Sequence, residues 1–296
     1  MNFDRNTVIG FVVLALLFFG YFYYNNQEQA KYKKINDRKE FVKDSIARAQ
    51  RKPEDTLALK KDIARADTER VLASAGSFKD AVNGTEQLVT TENELMKITF
   101  TSKGAQVKKV ELKKFRGRDS SLLRLAASDF DKITYPIVTG PNQTMQTGDL
   151  YFSRIDSAKN TDGSKTYSFS LTSSDSSATA SIVHKFTVKP DDYMIDFDVN
   201  LDGADRLLTQ GNLNLTWQYA AAQQETDIEF EKQNTQVGYV TDGEFDYHTI
   251  GKTNDKDFNK SVSWVGVRQR FFFTILLAKS NFSSGKMEWT LPSDSS

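Results

Sequence analysis

Two textures of hydrophobicity divide the chain. From Val8 to Tyr24, VIGFVVLALLFFGYFYY, apolar and aromatic residues follow one another without a charge. As a helix this run is about 25 Å long, near the lower end of what crosses a bilayer core. Tyr21, Phe22, Tyr23 and Tyr24 close it with rings of the kind that settle at the headgroup level. The residues predicted to anchor the chain in lipid are Val8, Ile9, Phe11, Val12, Leu14, Leu16, Leu17, Phe18, Phe19, Tyr21, Tyr23 and Tyr24. The run leads into YYNNQEQ, with no small-residue cleavage pattern of the A-x-A type, so it is expected to be retained.

From Gln27 to about Ala75 the texture is charged and rich in helix formers. Phe41, Ile46, Leu57, Ile63 and Val71 are too sparse to make a core. The pattern predicts two helical pieces broken at Pro53, either a solvated tether or a helix that pairs with a partner or with itself. After Gly76 the period becomes two. Strand-like runs cover Glu86 to Thr91, Leu95 to Thr101, Ala105 to Phe115, Ile133 to Val138, Leu150 to Ile155, Thr166 to Leu171, Ala180 to Val188, Met194 to Leu201 and Leu213 to Tyr219. Turn clusters separate them, among them Ser102-Lys103-Gly104, Gly140-Pro141-Asn142, Thr161-Asp162-Gly163, Pro190-Asp191-Asp192 and Asp202-Gly203. In YMIDFDV, Ile195, Phe197 and Val199 are predicted to face a core and Asp196 and Asp198 to face water. Val237 to Thr241 and Glu244 to His248 form a hairpin across Asp242-Gly243. Val262 to Val267 leads into Arg270 to Leu277, RFFFTILL, too short to span a membrane and read as a core strand. Many short strands at this spacing predict a mainly β fold, a large antiparallel β-sandwich.

Composition narrows the function classes. With 39 basic and 39 acidic side chains and a pI near 6.8, no global field draws the chain to nucleic acid. Some 210 residues lie beyond the connector by a rough count, enough for one large all-β domain or two small ones. The absence of cysteine excludes disulfides, thiolate metal sites and thiol nucleophiles. There is no glycine-rich phosphate loop and no G-x-S-x-G. His184 lies in a strand pattern and His248 near a hairpin, and two histidines are too few for a multi-histidine metal site. Asp242, Glu244 and Asp246 cluster as calcium ligands or a glycosidase pair would, but hairpin turns collect aspartate for backbone reasons. Gln218, Gln223, Gln224 and Glu225 near Trp217 and Tyr219 fit either a sugar site or a polar loop after a strand. No catalytic, cofactor-binding or metal residue is predicted.

Four segments follow one another along the chain: Asp4-Arg5-Asn6-Thr7 before the apolar run; Glu94 to Phe115, ELMKITFTSKGAQVKKVELKKF; His184 to Val199, HKFTVKPDDYMIDFDV; and Ser263 to Phe272, SWVGVRQRFF. In this order they resemble the N-terminal half of YidC-type membrane protein insertases of Bacteroidetes-like bacteria. The first is similar to the family's opening, the second to its first periplasmic strands, the third to a later strand, turn and strand, and the fourth to the block shortly before the second membrane helix. The resemblance covers essentially the whole chain.

It implies a large antiparallel β-supersandwich preceded by one N-terminal transmembrane helix and a charged helical connector. The implied layout is residues 1–7 cytoplasmic, 8–24 in the membrane, 25–75 connector and 76–296 periplasmic. Counting Lys31, Lys33, Lys34, Arg38 and Lys39 against Arg5 alone would keep the later segment inside; the family places the N-terminus inside instead, and long domains translocate largely regardless of charge. The implied function is assistance to insertion and folding of inner-membrane proteins, alone or with the Sec translocon, with no cofactor and no enzymatic activity. Implied partners are the lipid bilayer, Sec translocon components and nascent membrane proteins. The sequence ends at Ser296 with one span, so the family's groove arginine and five core helices have no counterpart in it. As written, the chain is expected to anchor and dock. The alternative is a membrane-anchored carbohydrate-binding or carbohydrate-processing β-domain, which requires opposed carboxylates or a stacked aromatic platform in a cleft. A further alternative is a periplasmic scaffold whose connector oligomerises.

Overall fold

A strand pattern with one apolar face needs a second such face to cover it, and consecutive antiparallel meanders supply both here. The computed structural model describes residues 69, 71–175, 179–251 and 254–291. The apolar run Val8 to Tyr24, all of the anchor residues and the connector as far as residue 68 lie outside the described residues. Among the described residues no helix is long and apolar enough to cross a membrane. The described residues belong to one compact unit, Glu69–Ser296.

The first sheet is a meander of β1 (Leu88–Glu92), β2 (Met96–Thr101), β3 (Gln106–Arg116) and β4 (Leu122–Ala126), antiparallel throughout. Then come β5 (Lys132–Thr134) and the hairpin of β6 (Pro136–Gly140) and β7 (Gln143–Gln146). The second four-stranded meander contains β8 (Arg154–Lys159), β9 (Lys165–Thr172), β10 (Ser181–Val188) and β11 (Ile195–Asp202). The short β12 (Thr216–Gln218) pairs with β5. The third sheet has the order β14-β13-β16-β17, from β13 (Thr235–Thr241), β14 (Glu244–Thr249), β16 (Val262–Gln269) and β17 (Phe272–Phe282). A two-stranded ribbon joins β15 (Asp255–Phe258) to β18 (Gly285–Glu288). The mainly β, antiparallel expectation is met.

The main core lies between the first two sheets. Ile98 and Phe100 from β2, Phe169 and Leu171 from β9, and Ile182 and Phe186 from β10 are buried in one cluster. Strict alternation along β10 sends Ile182, His184, Phe186 and Val188 inward. On β11, Ile195, Phe197 and Val199 pack against the same cluster, as the period of two predicts. A smaller cluster of Tyr239, Phe258 and Val262 underlies the third sheet.

Four sequence expectations are corrected. Ile133 to Val138 is not one strand: Pro136 has no N–H to continue the ladder, and Tyr135 exchanges hydrogen bonds with Thr147 instead. Of Leu213 to Tyr219 only Thr216–Gln218 pairs, and Leu150 and Phe152 are buried ahead of β8 without belonging to it. RFFFTILL is not a core strand. It begins in a turn at Arg270, and its strand β17 lies at the sheet edge with Phe271 69% and Leu277 48% exposed. An unbroken apolar run names no buried face, because both faces carry the same residue types.

His184 is the buried polar link. Its Nδ1 lies 2.8 Å from the carbonyl oxygen of Ala105, which can only accept, so Nδ1 carries the proton. Nε2 then accepts from the Tyr135 hydroxyl at 2.8 Å. Burial pulls the imidazole pKa down to about 4, against two opposing backbone hydrogen bonds. Because the folded value lies below the unfolded one, the unfolded chain binds more protons between these two values. Stability from this group is therefore full above pH 6.5 and is lost as pH falls toward 4. Urea unfolding of Glu69–Ser296 is expected to show a loss of about 3 kcal/mol across that window from this group. A His184→Asn variant should lack that component; identical pH profiles for the two proteins would refute the assignment.

Candidate functional site

The structure separates the polar candidates of the sequence. His184 is enclosed in the core as described. His248 stacks on Trp289, with ring centres 5.4 Å apart, and its Nε2 lies 3.2 Å from the Tyr239 hydroxyl. Asp242 sits in the hairpin turn at φ 55° beside Gly243 at 82°, paired with Lys260 at 2.9 Å. Asp246 accepts from the Tyr239 hydroxyl at 2.9 Å, and that bond, ahead of the Tyr247 N–H, holds its pKa below the usual carboxylate value. These carboxylates serve separate local partners. Among the described residues no group of three or more histidines, aspartates and glutamates could hold a metal ion.

The glutamine loop is a strapped connection. Asp227 caps the helix Ile228–Asn234 through the N–H of Phe230. The helix in turn presents Glu231, whose buried carboxylate accepts the N–H groups of Gln224 and Glu225 and the side-chain amide of Gln269. Gln224 also donates to the carbonyl of Arg124. Trp217 and Tyr219 stack at 5.8 Å, and the Tyr219 hydroxyl receives the hydroxyl of Thr274. A cleft of about 310 Å³ beside Lys113, Lys165 and Lys189 offers no free cation: Lys113 meets Glu92, Lys165 the Glu92 carbonyl, and Lys189 Asp192 and Asp196.

What stands out is apolar. On the third sheet, cross-strand partners share a face, and the registers Val240↔Phe245, Gly238↔Tyr247, Val240↔Trp264, Gly238↔Gly266, Gly266↔Ile275 and Trp264↔Leu277 define the outer one. Phe245 stacks on Tyr247 at 6.0 Å and on Trp264 at 5.7 Å, and Trp264 meets the edge of Phe273 at 5.4 Å. Phe245 is 61% exposed, with Tyr247, Phe273 and Leu277 close to half exposed. The platform therefore runs from one edge strand to the other. At one end Arg270 lies between the rings of Phe230 and Phe271, at 4.6 and 4.5 Å, and pairs with Glu225.

A family model described as the YidC periplasmic domain matches residues 88–289. The chain belongs to that family. Proteins named membrane protein insertase YidC are similar along nearly all of it. The relative from Phocaeicola vulgatus is 27% identical over 290 residues, covering 97% of this chain and 45% of the relative. That from Chlorobaculum tepidum is 30% identical over 282 residues, 93% of this chain and 46% of its own length. The Parabacteroides distasonis protein is 25% identical over 298 residues, 96% and 46% respectively. This YidC-family chain spans slightly less than half the length of these curated relatives. The carbohydrate alternative finds no support: the rings lie on an open face and not in a cleft, and Asp242, Glu244 and Asp246 do not converge.

Sequence reasoning missed the platform, although its signals are present along β13, β14 and β16. Phe245 and Tyr247 alternate with Glu244 and Asp246, which places rings and acids on opposite faces of β14. Gly238 and Gly266 interrupt their strands directly beneath the rings. A Cβ on Gly266 would lie 2.6 Å from Ile275 Cγ2, 2.7 Å from the Thr274 carbonyl oxygen and 2.9 Å from the Phe273 ring. The backbone oxygen cannot swing aside, so Gly266→Ala should cost about 1–3 kcal/mol of unfolding free energy. Thermal unfolding of the variant should show a midpoint lowered by several degrees; an unchanged midpoint would contradict the close approach.

Proposed function

We propose that this chain is the anchored, outward-facing part of a membrane protein insertase, assisting insertion and folding of inner-membrane proteins alone or with the Sec translocon. In this reading residues 1–7 are cytoplasmic and the apolar run Val8 to Tyr24 crosses the inner membrane. Residues 25–75 connect, and 76–296 form the periplasmic domain. Its part is to dock: the bilayer, Sec translocon components and nascent membrane proteins are the partners, and neither a cofactor nor enzymatic chemistry is required. The observation that carries the reading is co-linearity. Similarity to proteins named as insertases extends over 93–97% of the chain, reaching beyond the residues matched by the domain model. Balanced charge agrees with a domain that has no polyanion to hold.

Because the chain has no cysteine, topology can be read with single introduced thiols. Ser157→Cys on the exposed strand β8 should react with a membrane-impermeant maleimide in cells whose outer membrane alone has been opened. Asn2→Cys should react only after the inner membrane is broken. The reverse pattern, or release of the chain from membranes by alkaline carbonate, would sink the proposal.

A further inference from the structure

We infer that the outer face of the third sheet is a lipid-docking surface, seated on the headgroup boundary of the bilayer to which the chain is tethered. The inference rests on the reading of Val8 to Tyr24 as a span, and goes beyond it by naming the face and its occupant.

The composition of the face matches that boundary. Phe245 and Tyr247 on β14, Trp264 on β16, and Phe273 and Leu277 on β17 form a broad, open surface, with Tyr and Trp the ring types that favour the interface between hydrocarbon and headgroups. The charge on this face is Arg268, exposed and opposite Phe273, a cation suited to anionic phospholipid. The acids of β14 are turned away: Asp246 bonds Tyr239 beneath the sheet, and Glu244 shares its side by alternation. Lys279, further along β17, is occupied by Asp196 and Asp198.

Tethering decides the occupant. The residues between Tyr24 and Glu69 reach about 150 Å at full stretch, so a chain anchored by its N-terminal run keeps the domain close to one bilayer. A surface held at such effective concentration needs little intrinsic affinity, which suits a patch with one charge on a protein of zero net charge. A second copy or an apolar peptide would have to be recruited from elsewhere.

The test uses the full chain in vesicles of phosphatidylethanolamine and phosphatidylglycerol. An environment-sensitive fluorophore is placed on Tyr247→Cys in the face, Ser157→Cys on β8, or Ala15→Cys in the apolar run. The label at 247 is expected to be quenched by spin-labelled lipid and shielded from aqueous iodide, and the label at 157 to show the opposite. Adding Phe245→Ser and Leu277→Ser, both at exposed positions, should shift the 247 label toward iodide. If 247 is open to iodide while 15 remains in lipid, the tether stands and the docking surface is overturned. If 247 is shielded from both quenchers, protein covers the face, and the lipid assignment is equally overturned. Iodide quenching at 15 would instead defeat the span reading, with the 247 label still reporting on the face separately.

Discussion

Phe100 of β2 and Phe186 of β10 meet with ring centres 4.8 Å apart, and this contact makes one body of the first two sheets. Each sheet is an antiparallel meander with a single apolar face, unstable in water unless that face is covered. Phe169, Tyr167 and Phe197 gather around the pair, so the aromatic rings interlock across the gap. His184 sits beside them and ties β10 to the β2–β3 turn through Ala105. That turn holds Gly104 and Ala105 at positive φ, a conformation an alanine adopts at a cost of about 1–2 kcal/mol. A buried, singly protonated imidazole offering a donor to one side and an acceptor to the other fixes the turn and Tyr135 together.

The third sheet obeys a different constraint. Its inner side has a small core of its own, and specific contacts tie it to the rest of the fold. Phe272 meets Phe115 edge to face at 5.5 Å, and Lys279 reaches Asp198 at 2.8 Å. Its outer side is left apolar, and the two glycines beneath the rings let them lie across the strands. Gly266 fits because β17 approaches it too closely for any side chain. The platform is thus a consequence of strand pairing as much as of residue type.

The strands with one wet and one dry face were the legible part of the fold. YMIDFDV and IVHKFTV name their own inward residues, and Asp242-Gly243 names its turn, because burial and φ each select residue types locally. The third sheet was hidden for the same reason. RFFFTILL is apolar on both sides, and which side is covered depends on what packs on each face: Phe272 meets Phe115 on one, while Phe273 and Leu277 on the other stay close to half exposed. That is a property of tertiary packing between residues far apart in the chain, and no window of sequence contains it. The helix Ile228–Asn234 was hidden because its justification is Glu231, a carboxylate buried to hold a loop; periodicity treats such a residue as solvent-facing.

An apolar edge strand beside an apolar face is a liability, since both invite pairing with other chains. The structure limits the first hazard: Arg270 stands in the turn before β17, Lys279 interrupts the strand, and the register shifts between Val262 and Trp264. The second is left in place. Serine or lysine at positions 245, 247 or 277 would satisfy the backbone equally well, whereas the residues present leave about half or more of each side chain in water. Mutual stacking accounts for the covered part, and an account of the exposed part has to come from what the face meets. On the proposed reading, that is a surface always within reach, which lets the patch be broad and weakly charged without the affinity that a freely diffusing partner would demand.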